Sequence, residues 1–280
     1  MSDPMSGPMS GSTSGPISGP ISGPALSTRS ALELEGIDFS FAARANGINV
    51  ALYKDFSLRI EQGSIVTIMG ASGAGKSTLG RIMAGIVIPQ KGIVRRSPDF
   101  KRPSDLVYVD QHPMNGVFPW QTVLENVRYP LEKLKWESRE RRDRICYLMT
   151  LFRLSALSDV YPAQLSGGEL QRLALSRCLS WKPKLVILDE PFSALDGQVK
   201  AEITSALHEL ALKDRMTLVL ITHNVADALA LGMRCIIIAR RPVRVMSDLD
   251  FHLGFPREEN TADYGVMQQA LINGIRDGLV

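Results

Sequence analysis

Residues 70–78 combine one lysine with glycines, alanines and hydroxyl side chains, in the order GASGAGKST. They satisfy the pattern G-x-x-x-x-G-K-[S/T] and directly follow an apolar stretch rich in β-branched residues. Gly73 and Gly75 would let the backbone curl so that its N–H groups face a phosphate. Lys76 would neutralise the β- and γ-phosphates of a nucleotide, and the hydroxyl of Ser77 would bind Mg²⁺. The predicted phosphate-binding loop comprises Gly70, Ala71, Ser72, Gly73, Ala74, Gly75, Lys76, Ser77 and Thr78.

Two carboxylates, Asp189 and Glu190, end the apolar stretch LVILDE. An aspartate at the end of a buried strand can hold Mg²⁺ through water, and we assign that role to Asp189. Glu190 would lie where ligands bind in open α/β sheets, at the carboxyl ends of the strands. Its carboxylate could polarise an attacking water there. The pair therefore indicates hydrolysis of the nucleotide.

His223 ends a further apolar stretch, in LVLITHN. A single histidine is more often a structural residue than a functional one. Here the strand pattern places it at the same sheet edge as Gly70 and Glu190, where its imidazole could form a hydrogen bond with a γ-phosphate. We therefore interpret His223 as a second catalytic residue beside Glu190.

Another group of small residues opens the helical pattern LSGGELQRLALSRCL, residues 165–179. Ser166, Gly167 and Gly168 stand at its start, where free backbone N–H groups and the positive end of the helix dipole bind anions. Because residues 70–78 already form a stronger phosphate site, this second anion-binding helix start raises the question of what it binds.

The strands and helices around these motifs must hold them in place. Four short apolar runs predict buried strands, and helical patterns separate them, which indicates an α/β protein with a largely parallel sheet. Upstream, LELEGIDFSF and VALYKDFSLRI predict an antiparallel edge joined by the turn-prone AARANG. The four predicted buried strands are Ser64–Met69, Lys184–Glu190, Thr217–Thr222 and Cys235–Ala239.

The chain divides into three predicted parts. Residues 1–30 form a Ser/Gly/Pro-rich tail with a four-residue repeat, whose low apolar content favours disorder. Residues 31–246 form the α/β domain, and the absence of strand patterns between about 113 and 180 predicts a helical subdomain inserted into it. Residues 247–280 form a C-terminal helical extension. The apolar face of its helix comprises Tyr264, Met267, Leu271 and Ile275.

The composition argues against several classes of protein. The 32 basic and 29 acidic residues leave a net charge of +3, which is too small to indicate nucleic-acid binding, so we expect no such partner. The three cysteines lack CxxC spacing and fit reduced, buried thiols. No run approaches the about 18 apolar residues of a membrane span. No apolar segment precedes the first basic residue, Arg29, so we expect no secretory signal.

In their order along the chain, these motifs resemble those of the ATP-binding cassette (ABC) ATPases. The resemblance runs from about Leu32 to Met246 and depends on the phosphate-binding loop, Gln111, LSGGE, LVILDE, SALD and His223. It implies a P-loop NTPase (RecA-like) core with an antiparallel β edge and a helical subdomain insertion, which binds ATP and Mg²⁺ and hydrolyses ATP. In that family two cassettes stack head to tail. The helix that follows Ser166 would then complete the ATP site of a second copy of the chain.

The resemblance also assigns roles to individual residues. Gln111 matches the glutamine that binds Mg²⁺ and links the sheet to the helical subdomain. Phe41 stands where an aromatic ring stacks on adenine; Tyr53 is the alternative, although it lies close to the phosphate-binding loop. Two groups would lie at the interface between copies, namely the signature residues Ser166, Gly167, Gly168 and Glu169 and the D-loop residues Ser193, Ala194, Leu195 and Asp196.

Three residues depart from the family pattern. Glu169 replaces the commoner glutamine of the signature, Asn224 follows His223 where aspartate is usual, and Met233 replaces another aspartate. None of the three is a predicted phosphate contact, so the expected activity stands.

The segment VFPWQTVLENVRYPLE, residues 117–132, resembles its counterpart in importers of nitrate, sulfonates and taurine. The resemblance implies the ATPase subunit of a bacterial importer at the cytoplasmic face of the inner membrane. Its partners would be a separate permease and, indirectly, a periplasmic solute-binding protein. Either Phe118 or Trp120 lines a groove that receives a permease helix, or both rings are core of the helical subdomain.

Two other classes share the same core motifs. An exporter or a lipid-handling complex is the alternative function. A mechanical ATPase acting on DNA is disfavoured, because the interval from Lys76 to Ser166 is too short for a long coiled coil.

Overall fold

The computed structural model of the chain describes residues 29–41, 50–193, 195–251, 253–255, 257 and 259–278. The Ser/Gly/Pro-rich tail as far as residue 28, and Ala194 of the D-loop, lie outside the described residues. The first strand begins at Ser30, the last residue of the range predicted as tail.

The described strands form two sheets. They are β1 (Ser30–Phe41), β2 (Val50–Glu61), β3 (Ile65–Met69), β4 (Lys91–Arg96), β5 (Leu106–Val109), β6 (Leu185–Asp189), β7 (Thr217–Thr222), β8 (Arg234–Ala239) and β9 (Arg244–Asp250). A three-stranded antiparallel sheet has the order β2-β1-β4, and a six-stranded sheet has the order β5-β6-β7-β3-β8-β9. Neighbouring strands of the larger sheet run parallel, except β8 and β9. The predicted α/β class with an antiparallel β edge is confirmed.

The sequence patterns missed three strands, and each lies at the edge of its sheet. β4 and β9 are largely exposed and polar, and β5 has only four residues, so none forms an apolar run of the length that predicts a buried strand. β9 crosses position 246 and pairs with β8. The range from 247 onwards therefore begins inside the larger sheet rather than with a helix.

The longest run of residues without a strand separates β5 from β6. The described helices are α1 (Lys76–Ala84), α2 (Val123–Glu132), α3 (Ser138–Leu151), α4 (Gly167–Ser180), α5 (Gly197–Lys213), α6 (Val225–Leu231) and α7 (Ala262–Asp277). Residues 113–180, all of which are described, contain α2 to α4 and short 3₁₀ turns. Within the described ranges, no helix has the length and apolar character needed to cross a lipid bilayer.

The larger sheet is covered on both faces, which explains its unbroken apolar strands. One face packs against α2 to α5, with Leu173 and Leu207 fully buried. The other face packs against α1 and the three-stranded sheet, with Ile60 and Leu79 fully buried. This packing fixes the carboxyl ends of the parallel strands at one edge, where the predicted site residues lie.

The C-terminal helix α7 covers β8 and α6. Tyr264 and Leu271 are buried, and Met267 and Ile275 are partly buried against the same cluster, as their spacing predicts. The helix thus packs on the main domain through the expected face.

The three cysteines are free thiols. Cys178 and Cys235 are buried, and burial raises the pKa of Cys178 to about 12, which makes it unreactive. Cys146 is exposed, so its predicted burial is wrong. It lies between the inward-facing Arg144 and Leu148 of α3, on the side of the helix that faces solvent.

Candidate functional site

The phosphate-binding loop lies between the end of β3 and the start of α1. Gly73 and Gly75 have φ values of 77° and 96°, a left-handed conformation that glycine adopts without steric cost. At Gly70, a Cβ atom would collide with the carbonyl oxygen of Ile238 in β8. Glycine is therefore required at these three positions for different reasons. Two of the glycines shape the loop, and one allows close contact with the sheet.

Lys76 is buried at the first position of α1, with 7% of its surface exposed. Its Nζ donates hydrogen bonds to the carbonyl oxygens of Gly70, at 2.9 Å, and Ala71, at 3.0 Å. Burial lowers the pKa of this amine, while Glu190 and Asp189 raise it. Because an ammonium has three N–H donors, one remains for a phosphate oxygen, whose charge would further favour the protonated form.

Asp189 holds two hydroxyl groups at the end of β6. The Oγ of Ser77 donates to Asp189 Oδ1 at 3.1 Å, and the phenol of Tyr108 in β5 donates to Oδ2 at 2.6 Å. Burial and the contact with Asp189 both raise the pKa of Tyr108, so the phenol remains a donor. Carboxylate and hydroxyl oxygens are the hard ligands that Mg²⁺ prefers. Two of the three residues predicted to hold this ion, Ser77 and Asp189, therefore fit it.

Glu190 follows directly and has a φ of 48°, unusual for a residue with a side chain. Its Oε2 accepts a hydrogen bond from the hydroxyl of Thr222, at 3.2 Å. Its Oε1 lies 2.7 Å from Nδ1 of His223. The carboxylate is thus fixed at both oxygens, and the two predicted catalytic side chains are in direct contact.

The contact with Glu190 uses Nδ1 of His223 and leaves Nε2 for another partner. If Nδ1–H donates to Glu190, Nε2 accepts hydrogen bonds in the neutral ring and donates only in the imidazolium form. A hydrogen bond that Nε2 donates to a phosphate requires a hydrogen on Nε2.

The start of α4 has a capping box. Ser166 Oγ accepts from the backbone N–H of Glu169 at 3.4 Å and donates to Glu169 Oε2 at 2.7 Å. These hydrogen bonds lower the pKa of the Glu169 carboxyl group. Gly167 is exposed and Gly168 half-buried, and their N–H groups at the helix start are left for an anion. Among the described residues, no hydrogen bond joins this helix start to the phosphate-binding loop of its own chain.

The remaining predicted site residues lie further from this centre. Gln111 is exposed just beyond the carboxyl end of β5, and no described hydrogen bond joins it to Ser77 or Asp189. Asp196 accepts from the backbone N–H of Val199 at 3.0 Å and so caps α5. The structure therefore groups the phosphate loop with the strand-end residues but leaves Gln111 and Asp196 at its margin.

The two candidate rings for adenine stacking have opposite environments. Phe41 is 55% exposed at the end of β1, with its ring edge-on to Phe39. Tyr53 is 1% exposed and donates its phenol hydrogen to the carbonyl of Gly75 at 2.9 Å. Only Phe41 has a face that a base could cover, and Tyr53 instead supports the loop.

Phe118 and Trp120 form a stack with ring centroids 5.2 Å apart. The Arg177 guanidinium carbon lies 3.8 Å from the centroid of Phe118. Trp120 is 71% exposed, so the interpretation that both rings are core is wrong for this residue.

Sequence reasoning missed three side chains at the site. Tyr108 lies in the short strand β5 that was not predicted, and Thr222 gives no functional signal of its own, because threonine is common in strands. Arg241 belongs to none of the motifs, yet it donates to the carbonyl of Gly73 at 2.9 Å. Thr222 could have been found from its place at the end of β7, directly before His223, because the carboxyl ends of parallel strands meet at one edge of the sheet.

The position of Lys76 between a glycine loop and a helix places the chain in the class of P-loop nucleotide-binding proteins. Comparison with known families narrows that class. The family model described as ABC transporter matches residues 53–193, about half of the chain. The chain belongs to this family and is an ATPase, as its resemblance to ABC ATPases implied.

Several relatives and structures are similar over most of the chain. The nitrate import ATP-binding protein NrtD of Synechocystis sp. is 35% identical over 82% of this chain and 85% of its own length. The aliphatic sulfonates import ATP-binding protein SsuB of Burkholderia ambifaria is 34% identical over 89% of this chain and 73% of its own length.

The structural comparison supports the same assignment. The dimeric structure of the ATP-binding cassette MJ0796, in a post-hydrolysis state bound to ADP and Pi, is 28% identical to this chain. It matches with a TM-score of 0.67 over 80% of this chain and all of its own. The predicted P-loop NTPase core is thereby confirmed.

Proposed function

We propose that this chain is the nucleotide-binding subunit of a bacterial ABC importer, whose ATP hydrolysis drives uptake of a small solute such as nitrate, a sulfonate or taurine. The observation that carries the proposal is the similarity, over more than four-fifths of the chain, to proteins named as nitrate and aliphatic sulfonates import subunits. The resemblance of residues 117–132 to that group of importers is part of the same support.

In the proposed cycle, the loop of residues 70–78 binds the phosphates of ATP, with the third N–H of Lys76 on the β- and γ-phosphates. Ser77 and Asp189 hold Mg²⁺, which would offset the phosphate charge. Gln111 would contribute a third ligand to this ion, and Phe41 stacks on adenine. The contacts of Lys76, Ser77 and Asp189 support the first two assignments.

For hydrolysis, Glu190 polarises the attacking water and His223 binds the γ-phosphate. Their 2.7 Å contact supports a joint role, because both side chains act at one place. The left-handed backbone at Glu190 costs about 1–3 kcal/mol, and strain of this kind is concentrated at active sites.

The second anion site belongs to a shared ATP site. We assign Ser166, Gly167 and Gly168 to the γ-phosphate of ATP held by Lys76 of a second copy, in a head-to-tail dimer. The backbone amides of the exposed Gly167 and the half-buried Gly168 support this, since they lie at a helix start that can bind an anion. Asp196 and the D-loop would lie at the same interface.

The dimer would bind a separate permease at the cytoplasmic face of the inner membrane, and a periplasmic solute-binding protein would act through that permease. Trp120 is the proposed contact with a short permease helix. Its exposed indole, stacked on Phe118, offers an apolar surface of the kind that receives an amphipathic helix.

Growth and uptake in a deletion strain test the proposal. The strain is supplied with nitrate as nitrogen source, or with taurine or an alkanesulfonate as sulfur source, and uptake of labelled solute is measured. We expect loss of uptake of one solute, which the wild-type gene restores and the Lys76→Ala variant does not. Unchanged uptake of these solutes, together with impaired extrusion of another compound, would instead establish the exporter alternative.

A further inference from the structure

The hydroxyl of Thr222 lies between two buried carboxylates. Its Oγ1 is 3.2 Å from Glu190 Oε2 and 3.4 Å from Asp227 Oδ2, and it accepts the backbone N–H of Asn224 at 3.1 Å. Thr222 is fully buried, and Asp227 is 3% exposed. Since a hydroxyl has one hydrogen, it can donate to only one of these carboxylates at a time.

A cation next to Asp227 decides this competition. Lys200, in the first turns of α5, donates to Asp227 Oδ1 at 2.7 Å. The ammonium compensates the charge of Asp227, which would otherwise be buried without a cation. Asp227 is therefore a weaker acceptor for the hydroxyl hydrogen of Thr222 than Glu190 is.

We propose that Lys200 is a positioning residue for ATP hydrolysis. By neutralising Asp227, it leaves the hydrogen of Thr222 for Glu190 Oε2, and this bond and the His223 contact together fix the Glu190 carboxylate. Lys200 itself touches neither the phosphate-binding loop nor Glu190 among the described contacts. The inference depends on the proposed role of Glu190 in activating water.

The consequence of removing Lys200 follows from the same geometry. Asp227 then becomes the more strongly charged acceptor and takes the Thr222 hydrogen. Glu190 loses one of its two side-chain partners and its fixed orientation. The chemical step slows, whereas nucleotide binding, which uses other side chains, is retained.

The test compares kcat and the KM for ATP of the full-length protein with its permease. Lys200→Met should lower kcat about tenfold at an unchanged KM, the effect of one lost hydrogen bond at the reacting group. Lys200→Met combined with Asp227→Leu removes the competing acceptor as well, so kcat should return to within about threefold of wild type. Arg153→Met is the matched control and should leave kcat unchanged, because Arg153 pairs at 2.8 Å with Glu202, which lies on α5 like Lys200.

Full activity of Lys200→Met, or a double variant as slow as Lys200→Met with an unchanged melting temperature, would overturn the proposal. If the double variant is destabilised, Lys200→Met combined with Asp227→Asn, which keeps the side-chain volume, replaces it and must show the same recovery. The Glu190→Gln variant distinguishes failure of the catalytic role of Glu190 from failure of the positioning role of Lys200. Full activity of Glu190→Gln refutes the role of Glu190 itself, whereas an inactive Glu190→Gln beside a fully active Lys200→Met refutes only the positioning role of Lys200.

Discussion

The hydroxyl of Ser77 donates to Asp189 across 3.1 Å, which joins the start of α1 to the end of β6. The two residues come from different elements, yet both offer oxygen to the same point beside Lys76. This contact brings the phosphate-binding loop and the carboxylate edge of the sheet into one site.

Lys76→Ala should reduce hydrolysis at least about 100-fold, because it removes a preorganised charge from the β- and γ-phosphates. Nucleotide affinity should fall as well, since a charged hydrogen bond is lost. Turnover and binding of a fluorescent ATP analogue by the purified protein measure the two effects. Lys54→Ala, at an exposed lysine of β2, is the control. Undiminished turnover of Lys76→Ala would refute the assigned phosphate loop.

Glu190→Gln should retain ATP binding but lower turnover by about 10²–10⁴, because the amide cannot accept a proton from water. The shared-site proposal then predicts a dimer trapped with MgATP, visible by size exclusion of the reconstituted complex. A variant that is inactive and yet monomeric in excess MgATP would contradict the head-to-tail arrangement.

Ser166→Arg should abolish hydrolysis while ATP affinity stays normal, since the bulky cation blocks the partner's site and not its own. Mixing the Ser166→Arg variant with the Lys76→Ala variant tests the shared site directly. In such a heterodimer one site carries both substitutions, and the other has an intact loop and an intact signature helix. Partial recovery of ATPase activity on mixing is expected. Loss of ATP binding by the Ser166→Arg monomer would place Ser166 in its own chain's site.

Tyr108→Phe should weaken Mg²⁺ binding about tenfold or more, because the lost phenol holds the Asp189 carboxylate in place. Titration of Mg²⁺ into the protein with a fluorescent ATP analogue measures this without turnover. Tyr147→Phe is the matched control, since Tyr147 also donates to a carboxylate, Glu209, at 2.5 Å, but away from the site. Equal Mg²⁺ affinities of the two variants would show that Tyr108 does not orient Asp189.

Trp120→Glu should lower solute uptake about tenfold or more but leave basal ATPase activity unchanged, because an exposed aromatic contact with the permease is lost. The melting temperature of each variant is measured as well. Phe118→Glu should lower solute uptake, basal ATPase activity and melting temperature, since Phe118 is half-buried and stacked by Arg177. Unchanged uptake by Trp120→Glu would remove this surface from the permease interface.

The sequence by itself determined the local parts of the site. The glycine positions, Lys76 and Ser77 follow from the motif itself. A phosphate bound between a strand and a helix requires backbone N–H groups, a lysine and a hydroxyl at these positions. The four buried strands were also predictable, because burial on both faces requires an unbroken apolar run. Element type and the strand-end places of Asp189, Glu190 and His223 follow from these runs.

Only the tertiary structure decided which distant side chains meet. Tyr108 reaches Asp189 through the pairing of β5 with β6, and Thr222 reaches Glu190 because β7 lies beside β6. The edge strands β4, β5 and β9 are stabilised by their hydrogen-bonded neighbours rather than by their own apolar content, so their sequences carry little pattern. The burial of Tyr53 and the exposure of Trp120 depend likewise on what packs beside each ring, which spacing along the chain does not encode.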